Sequence, residues 1–196
     1  MSTWLSTERL ALRRFTPADL GWVAGLFTDP DVMRYVGGPW DQAKIEDMFQ
    51  VRMLEYYDKH PGLGVWVTLE QATGGAIGFH LLNYIHGESF IQVGYFIDKA
   101  SWGKGFATEM ATRLLRYGFT DLGLAHITAI THIENHGSQQ VLLKAGLHRH
   151  GERSFAHPAY ASHGPQAWFE RDAAGWLGEE DHLGGHEGNR GKIFTS

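Results

Sequence analysis

A short glycine-containing turn between a strand pattern and a helix pattern constrains the fold more than any other part of this chain. Residues 90–97 (FIQVGYFI) have the β-branched and aromatic composition of a strand, and residues 106–119 carry apolar side chains at the spacing of a buried helix face. The segment WGKGFATE (102–109) spans the junction, with two glycines flanking a lysine. The sequence therefore predicts a helix whose first backbone N–H groups are free to bind an anion.

The remaining patterns predict about seven strands and about four helices. Outside the glycine turn, strands are predicted at 8–14, 63–69, 76–84, 126–132, 147–155 and 166–173, and helices at 18–27, 42–59 and 138–145. Ser138 is predicted as the N-cap of the last helix. The order of elements indicates an α+β (mixed α/β) chain with a mostly antiparallel sheet and one parallel crossover between residues 90 and 132.

Composition restricts the class of protein. The 196 residues, 43% of them hydrophobic, suit a single domain at 1–178 followed by a Gly/His-rich C-terminal tail at 179–196. The lack of cysteine excludes disulfides, thiolate metal sites and a cysteine nucleophile. No apolar run or secretory pattern is present, so we expect a cytoplasmic protein without a membrane partner. A net charge of −5 without a basic cluster argues against nucleic acid, and the histidine spacings match no zinc site.

Two common phosphate-binding motifs do not match the glycine turn. A dinucleotide fold has G-x-G-x-x-G with an acidic residue about twenty positions later, but Thr108 and Ala125 stand at the third glycine and acidic positions. A P-loop has G-x-x-x-x-G-K-[ST], but His186 and Ile193 occupy two required positions around residues 191–192. A nucleotide-binding domain of either kind is therefore disfavoured.

The glycine turn and four further segments resemble the GCN5-related N-acetyltransferase (GNAT) superfamily, most closely its RimJ/RimL-like branch, which acetylates protein N-termini. The family's pyrophosphate loop, Q/R-x-x-G-x-G/A, corresponds to WGKGFA (102–107), with Trp102 in place of Gln or Arg. The other matching segments are TERLALRR (7–14), VGYFI (93–97), NHGS (135–138) and KAGL (144–147). The resemblance implies the GNAT fold, a twisted, mostly antiparallel sheet of about seven strands with about four helices and one splayed parallel strand pair.

The same resemblance implies acetyl-CoA as co-substrate. Backbone N–H groups in the turn would bind its pyrophosphate, and a bulge at Gly94 would splay the strand so that the pantetheine arm pairs with its edge. The cofactor-binding residues that it implies are Tyr95, Ile97, Trp102, Gly103, Lys104, Gly105, Phe106, Ala107, Thr108, Asn135 and Ser138.

Direct attack of a neutral amine on the thioester is the simplest mechanism, because the chain lacks both cysteine and a G-x-S-x-G elbow. The resemblance implies the Ile97 N–H as oxyanion donor and Ser138 as the acid for the leaving thiolate. Gln92 stands where many relatives carry glutamate, so the base is sought elsewhere. Glu134 is preferred, with His132, His80 and bulk water as the alternatives.

The acceptor side is the least specified part of the sequence. Tyr35, Trp40 and Tyr84 are predicted to line an acceptor pocket for a primary amine. The acceptor is left open among a protein N-terminus, an amino acid, a polyamine and an antibiotic amine, and the chain is expected as a monomer or homodimer. The rival hypothesis is a non-catalytic GNAT-like module that binds acyl-CoA, which Gln92 favours and Ser138 opposes.

Overall fold

One eight-stranded sheet organises the chain. The structure, a computed structural model, describes residues 3–160 and 164–184, with the backbone alone for 179–184. The strands are β1 (Leu5–Ser6), β2 (Leu10–Arg14), β3 (Gly64–Glu70), β4 (Ala76–Tyr84), β5 (Ile91–Ile97), β6 (His126–His132), β7 (His148–Arg153) and β8 (Gln166–Asp172). Their order is β1-β2-β3-β4-β5-β6-β8-β7, and each neighbouring pair is antiparallel except β5 and β6, which are parallel.

Six α-helices accompany the sheet in the described residues. They are α1 (Leu20–Thr28), α2 (Gln42–Met48), α3 (Tyr56–Lys59), α4 (Phe106–Thr120), α5 (His136–Lys144) and α6 (Ala173–Gly184). The mixed α/β class and the parallel crossover through α4 confirm the prediction. None of these helices has the length and apolar character needed to span a bilayer.

The element counts differ from the prediction of about seven strands and four helices. The extra strand is β1, which precedes the predicted first strand and pairs Leu5 with Leu12. One extra helix arises because the segment 42–59 is divided, and the other is α6. Helix α6 also covers residues 179–184, the first part of the predicted tail, while 185–196 lie outside the described residues.

A wide helical turn divides the predicted helix 42–59. Residues Phe49–Leu54 form a π-helical turn in which the Glu55 N–H donates to the carbonyl of Gln50, five residues back. Phe49 and Met53 pack in one core cluster, whereas Tyr56 and Tyr57 pack in the other. The change of helical register therefore lets one continuous segment bury side chains on both sides of the sheet.

The sheet separates these two apolar clusters. In β3, Val65 and Val67 belong to one cluster and Trp66 between them to the other, as expected for alternating side chains. Met110 and Leu114 of α4 are fully buried in the Trp66 cluster. Burying side chains of this size stabilises the fold by about 2 kcal/mol each, so the position of α4 on the sheet is firmly set.

A buried polar side chain lies under the first turn of α4. His80 of β4 is fully buried; its Nδ1 lies 2.7 Å from Thr68 Oγ1 and its Nε2 lies 3.4 Å from the carbonyl oxygen of Ala107. Because a carbonyl only accepts, Nε2 carries the proton and Nδ1 accepts from Thr68. Burial lowers the pKa of His80 to about 3, so the ring is neutral in the folded chain at neutral pH.

We predict that His80 makes folding stability depend on pH. Between its ordinary pKa of 6.5 and its folded pKa of about 3, the unfolded chain binds a proton at His80 that the folded chain does not. Stability is therefore lost as pH falls through this window, by about 2 kcal/mol between about pH 7 and about pH 5. The His80→Gln variant should lack this part of the loss in urea unfolding at the two pH values. Equal losses in both proteins would contradict the assignment.

Candidate active site

The parallel strands β5 and β6 are paired at one end and open at the other. Their register contains a single pair, Gln92 with Thr128, and beyond Gln92 the two strands diverge. On the other side of β5, the ladder with β4 runs without a register shift from Tyr84–Ile91 to Gly78–Ile97. The predicted splay is present, but the bulge predicted at Gly94 is wrong, because Gly94 pairs regularly with Leu81.

Backbone polar groups of β5 face this opening. Asp98 donates its N–H to the carbonyl of Ile77 on β4, so Asp98 faces β4. Successive residues of a strand direct their backbone groups to opposite sides, which turns those of Tyr95 and Ile97 toward β6. Since β6 pairs only near Gln92, the N–H groups of Tyr95 and Ile97 have no strand partner there. Such an edge accepts an extended chain that carries amide groups.

The glycine turn lies at the end of β5 beside the opening. Gly103 and Gly105 have φ values of +74° and +80°, a left-handed conformation that favours glycine. Gly105 is the N-cap of α4, and a Cβ added at Gly103 would meet no atom within 4 Å. The free N–H groups of the first helical turn, at residues 106–108, are therefore approachable by a bulky anion.

A polar clamp holds the glycine turn against the start of the sheet. Glu109 of α4 accepts a hydrogen bond of 2.6 Å from the Thr7 hydroxyl and one of 2.6 Å from Arg9 Nε. Arg9 also donates to the carbonyl of Lys104 in the turn, at 3.1 Å. Burial opposes ionisation of Glu109, but the hydrogen bonds from Thr7 and Arg9 hold its pKa below the ordinary value. Glu109 is thus charged, and its charge is balanced by Arg9 next to the anion site.

Trp102 is anchored at the last residue of β5. Its indole N–H donates to the carbonyl of Ile97 at 2.8 Å, although 48% of the residue is exposed. This bond occupies the one outward-facing carbonyl of β5 nearest the turn and leaves the Ile97 N–H open. An aromatic residue in place of Gln or Arg therefore has a structural function in this loop.

Ser138 lies across the opening from β5, within the first turn of α5. The prediction that Ser138 caps this helix is wrong, because the N-cap is Asn135, whose side-chain oxygen accepts the Ser138 N–H at 3.0 Å. The Ser138 hydroxyl instead lies 2.9 Å from the Tyr95 hydroxyl, and Tyr95 also approaches the Ser138 carbonyl at 3.1 Å. Tyr95, Asn135 and Ser138 are thus brought together.

The three candidate bases are not equivalent in the structure. His80 has both ring nitrogens occupied by Thr68 and Ala107, as described above. His132 accepts the Glu134 N–H at Nδ1, at 3.1 Å, so its neutral ring carries the proton on Nε2 and has no free lone pair. Glu134 itself is exposed between β6 and α5. Of the three candidate bases, only Glu134 therefore has a group that is open to accept a proton.

Of the three predicted acceptor residues, Tyr35 is placed beside the site. Its ring stacks on His132 at a centroid distance of 5.6 Å, next to the end of β6. Trp40 stacks on Phe27 at 4.8 Å and packs against the core. Tyr84 ends β4, where its N–H binds the Tyr56 hydroxyl at 2.9 Å. Both side chains are partly buried against core clusters, and their contact with an acceptor stays a prediction.

Sequence reasoning missed two groups of contacts in the site. The clamp of Thr7 and Arg9 on Glu109 joins segments about a hundred residues apart, and both ends lie inside quoted motifs whose polar residues were left without a function. The Tyr95–Ser138 pair likewise joins two recognised motifs. In each case, a contact could have been inferred from two polar residues in segments that the resemblance places together. Among the described residues, no group of three or more His, Asp or Glu forms a metal site.

The chain belongs to the GNAT acetyltransferase family. The family model described as "Acetyltransferase (GNAT) domain" matches residues 9–148. The uncharacterized N-acetyltransferase YoaA of Bacillus subtilis is 33% identical over 154 residues, covering 75% of this chain and 84% of the relative. The chain is accordingly an acyl-CoA-dependent acetyltransferase.

Solved structures share the fold. The ribosomal-protein-S5-alanine acetyltransferase of Vibrio fischeri has a TM-score of 0.69 and 19% identity, covering 90% of this chain and 99% of that chain. The spermidine N-acetyltransferase of Vibrio cholerae, solved with CoA and spermine, has a TM-score of 0.66 and 22% identity, covering 87% and 99%. These neighbours show that the chain has the GNAT fold.

We predict that Gly105→Ala lowers CoA affinity about tenfold, because the added Cβ would lie 3.5 Å from Arg9 Nη2, beside the N–H groups that an anion must approach. Isothermal titration calorimetry with CoA measures the change. Gly123→Ala is the matched control, since Gly123 also has a left-handed φ of +64° but lies beyond the other end of α4. Both variants carry a similar backbone strain of about 1 kcal/mol. Equal CoA affinity in the two variants would show that the turn does not hold the pyrophosphate.

Proposed function

We propose that this acetyltransferase transfers the acetyl group of acetyl-CoA to a primary amine by direct attack in a ternary complex. The observation that carries the proposal is the opening between β5 and β6, which ends at the glycine turn. An opening of this form suits a thioester whose arm pairs with a strand edge and whose pyrophosphate lies at a helix N-terminus.

The residues proposed to hold acetyl-CoA fall into two groups. Backbone N–H groups of Gly103, Gly105, Ala107 and Thr108 bind the pyrophosphate, with Lys104 and Phe106 shaping the turn. The edge of β5 at Tyr95 and Ile97 binds the pantetheine amides, with Trp102 fixing its end and Asn135 at the far side. This assignment is supported by the free N–H groups of β5 and by the open space at Gly103.

The Ile97 N–H is proposed as the donor to the oxyanion of the tetrahedral intermediate. Its support is directional: the N–H faces the opening, and Trp102 bonds the adjacent carbonyl, so the strand cannot easily rotate. A preorganised backbone donor of this type contributes about 3 kcal/mol to transition-state stabilisation.

Ser138 is proposed as the donor to the leaving sulfur. A serine hydroxyl is a much weaker acid than a thiol, so Ser138 stabilises the thiolate by a hydrogen bond rather than by giving up its proton. The C–N bond forms first and gives the tetrahedral intermediate. When this intermediate collapses, the C–S bond breaks, and the proton released by the attacking amine finally protonates the thiolate. The proton that the amine loses is thus the one that the thiolate gains, and Ser138 stays neutral throughout.

Glu134 is proposed as the acceptor of the amine proton, directly or through water. Glu134 is preferred over the other candidates because the lone pairs of His80 and His132 are occupied. Gln92 cannot accept a proton in this pH range. A neutral amine that reaches the site already deprotonated needs no protein base at all. The Glu134→Gln variant distinguishes these routes by its pH–rate profile.

The acceptor is proposed to be a protein N-terminus or a small-molecule amine. A relative from Escherichia coli, 28% identical to this chain, is named spermidine N(1)-acetyltransferase. The two fold neighbours described above are named for the alanine of ribosomal protein S5 and for spermidine. The net charge of −5 suits a cationic amine. Tyr35, which stacks on His132 at the end of β6, is proposed to contact it.

A non-catalytic acyl-CoA-binding module is the alternative. Gln92 favours it, because its amide donates to Asn83 at 3.3 Å where many relatives have a carboxylate. Thiol release from acetyl-CoA separates the two functions when it is measured with spermidine, with alanine- and serine-starting peptides and with kanamycin. Steady release supports the transferase; CoA binding without release supports the module.

We predict that Ser138→Ala lowers kcat about tenfold or more while the affinity for acetyl-CoA changes less than about threefold. The reason is that the serine acts on the leaving group, whereas the turn and β5 hold the donor. Thiol release per folded molecule measures the rate, and calorimetry measures affinity. Ser89→Ala, an exposed serine between β4 and β5, is the control. An unchanged rate in Ser138→Ala would remove the serine from the mechanism.

A further inference from the structure

The Tyr95 hydroxyl has two acceptors and one proton. It lies 2.9 Å from Ser138 Oγ and 3.1 Å from the Ser138 carbonyl oxygen, and it reaches both from β5 across the opening to α5. A hydroxyl donates one hydrogen bond at a time. The pair therefore has two hydrogen-bond arrangements, which differ in where the Ser138 proton is directed.

The first arrangement keeps the serine proton inside the pair. Tyr95 donates to the Ser138 carbonyl, which only accepts, and the Ser138 hydroxyl donates to the Tyr95 oxygen. In the second arrangement, Tyr95 donates to Ser138 Oγ, and the Ser138 proton is free to point away from Tyr95. Only the second arrangement lets Ser138 donate to a third group.

The surroundings fix everything in this pair except the hydroxyl protons. The Ser138 backbone is held by its N–H bond to Asn135 at 3.0 Å, and Tyr95 lies on a strand that is fully paired with β4. Burial raises the pKa of Tyr95, so its hydroxyl stays protonated and acts as a donor, not as a source of tyrosinate. Ser138 is half-buried, so part of its surface remains exposed.

We propose that Tyr95 is a positioning residue for Ser138, whose switch to the second arrangement directs the serine proton to the sulfur of CoA. This inference rests on the proposed function of Ser138. Negative charge on the sulfur favours the second arrangement, because each hydroxyl then donates toward the charge. No proton changes owner in the switch. The thiolate gains a hydrogen bond from Ser138, the bond between the two hydroxyls reverses its direction, and the bond from Tyr95 to the Ser138 carbonyl is given up.

Loss of the Tyr95 hydroxyl has a defined consequence for Ser138. In the structure, the Tyr95 hydroxyl is the group hydrogen-bonded to Ser138 Oγ. In Tyr95→Phe this oxygen loses that donor, so the serine hydroxyl rotates more freely and donates to the sulfur for a smaller part of the time. The variant should therefore resemble Ser138→Ala in its effect on the thiolate, although Ser138 is still present.

The ionisation of bound CoA tests this without an acceptor. The ultraviolet absorbance of the thiolate, followed against pH in the protein–CoA complex, gives the pKa of the bound thiol. We expect Ser138→Ala to raise it by about one unit and Tyr95→Phe by at least about half a unit, with no further rise in the double variant. The control is Tyr117→Phe, which removes a tyrosine hydroxyl bonded to the Gly62 carbonyl at 3.2 Å, away from the site.

Three outcomes overturn the proposal. In the first, Ser138→Ala raises the pKa of the bound thiol but Tyr95→Phe leaves it unchanged. In the second, the pKa shifts of the two single variants add up in the double variant. In the third, Tyr117→Phe shifts the thiol pKa as much as Tyr95→Phe does. Turnover gives the second measurement: kcat should fall about tenfold in Tyr95→Phe with KM for acetyl-CoA nearly constant. If the wild-type chain shifts the thiol pKa as expected but releases no thiol with any amine tested, the transferase proposal fails and the positioning of Ser138 stands.

Discussion

The site depends on one feature of the sheet: β5 and β6 share a single pair and then separate. Parallel strands inside a covered sheet normally satisfy their backbone groups along their whole length, since an unpaired buried N–H costs about 1 to 3 kcal/mol. Here the outward groups of Tyr95 and Ile97 are left without a strand partner. The rest of the molecule is arranged so that a ligand can supply the missing partner.

Two sets of contacts hold the opening in shape. On one side, the clamp of Thr7 and Arg9 on Glu109 joins the beginning of the chain to α4 and ties down the glycine turn. Across the opening, the Tyr95–Ser138 pair joins β5 to α5. Each is a short polar contact between elements that the sheet itself does not connect. These contacts fix the shape of the opening, so it does not need to form when CoA binds.

Much of the fold and part of the site follow from the sequence, for physical reasons. The strand, turn and helix at 90–119 were predictable because periodicity and glycine placement are local signals. The division of helix 42–59 was not predictable, because it arises from the packing of different residues of this segment into two separate core clusters. The N-cap of α5 was assigned to Ser138 instead of Asn135 because both types cap well and the choice depends on where β6 ends. The sequence also cannot show whether Trp40 and Tyr84 line a pocket, because aromatic residues give no sequence signal that separates packing from binding.

In the proposed arrangement, different parts of the chain hold the donor and the acceptor. CoA would be held by backbone groups and by glycines, which side-chain changes elsewhere do not disturb. Acceptor contacts would come from side chains such as Tyr35, on the segment between α1 and α2.

A crystal structure of the chain with bound CoA tests the central claim most directly. The account predicts the pyrophosphate on the N–H groups of residues 103–108, the pantetheine amides hydrogen-bonded to Tyr95 and Ile97, and the sulfur within hydrogen-bond reach of the Ser138 hydroxyl. A CoA molecule bound elsewhere, or β5 and β6 closed into a continuous ladder in the presence of CoA, would contradict it.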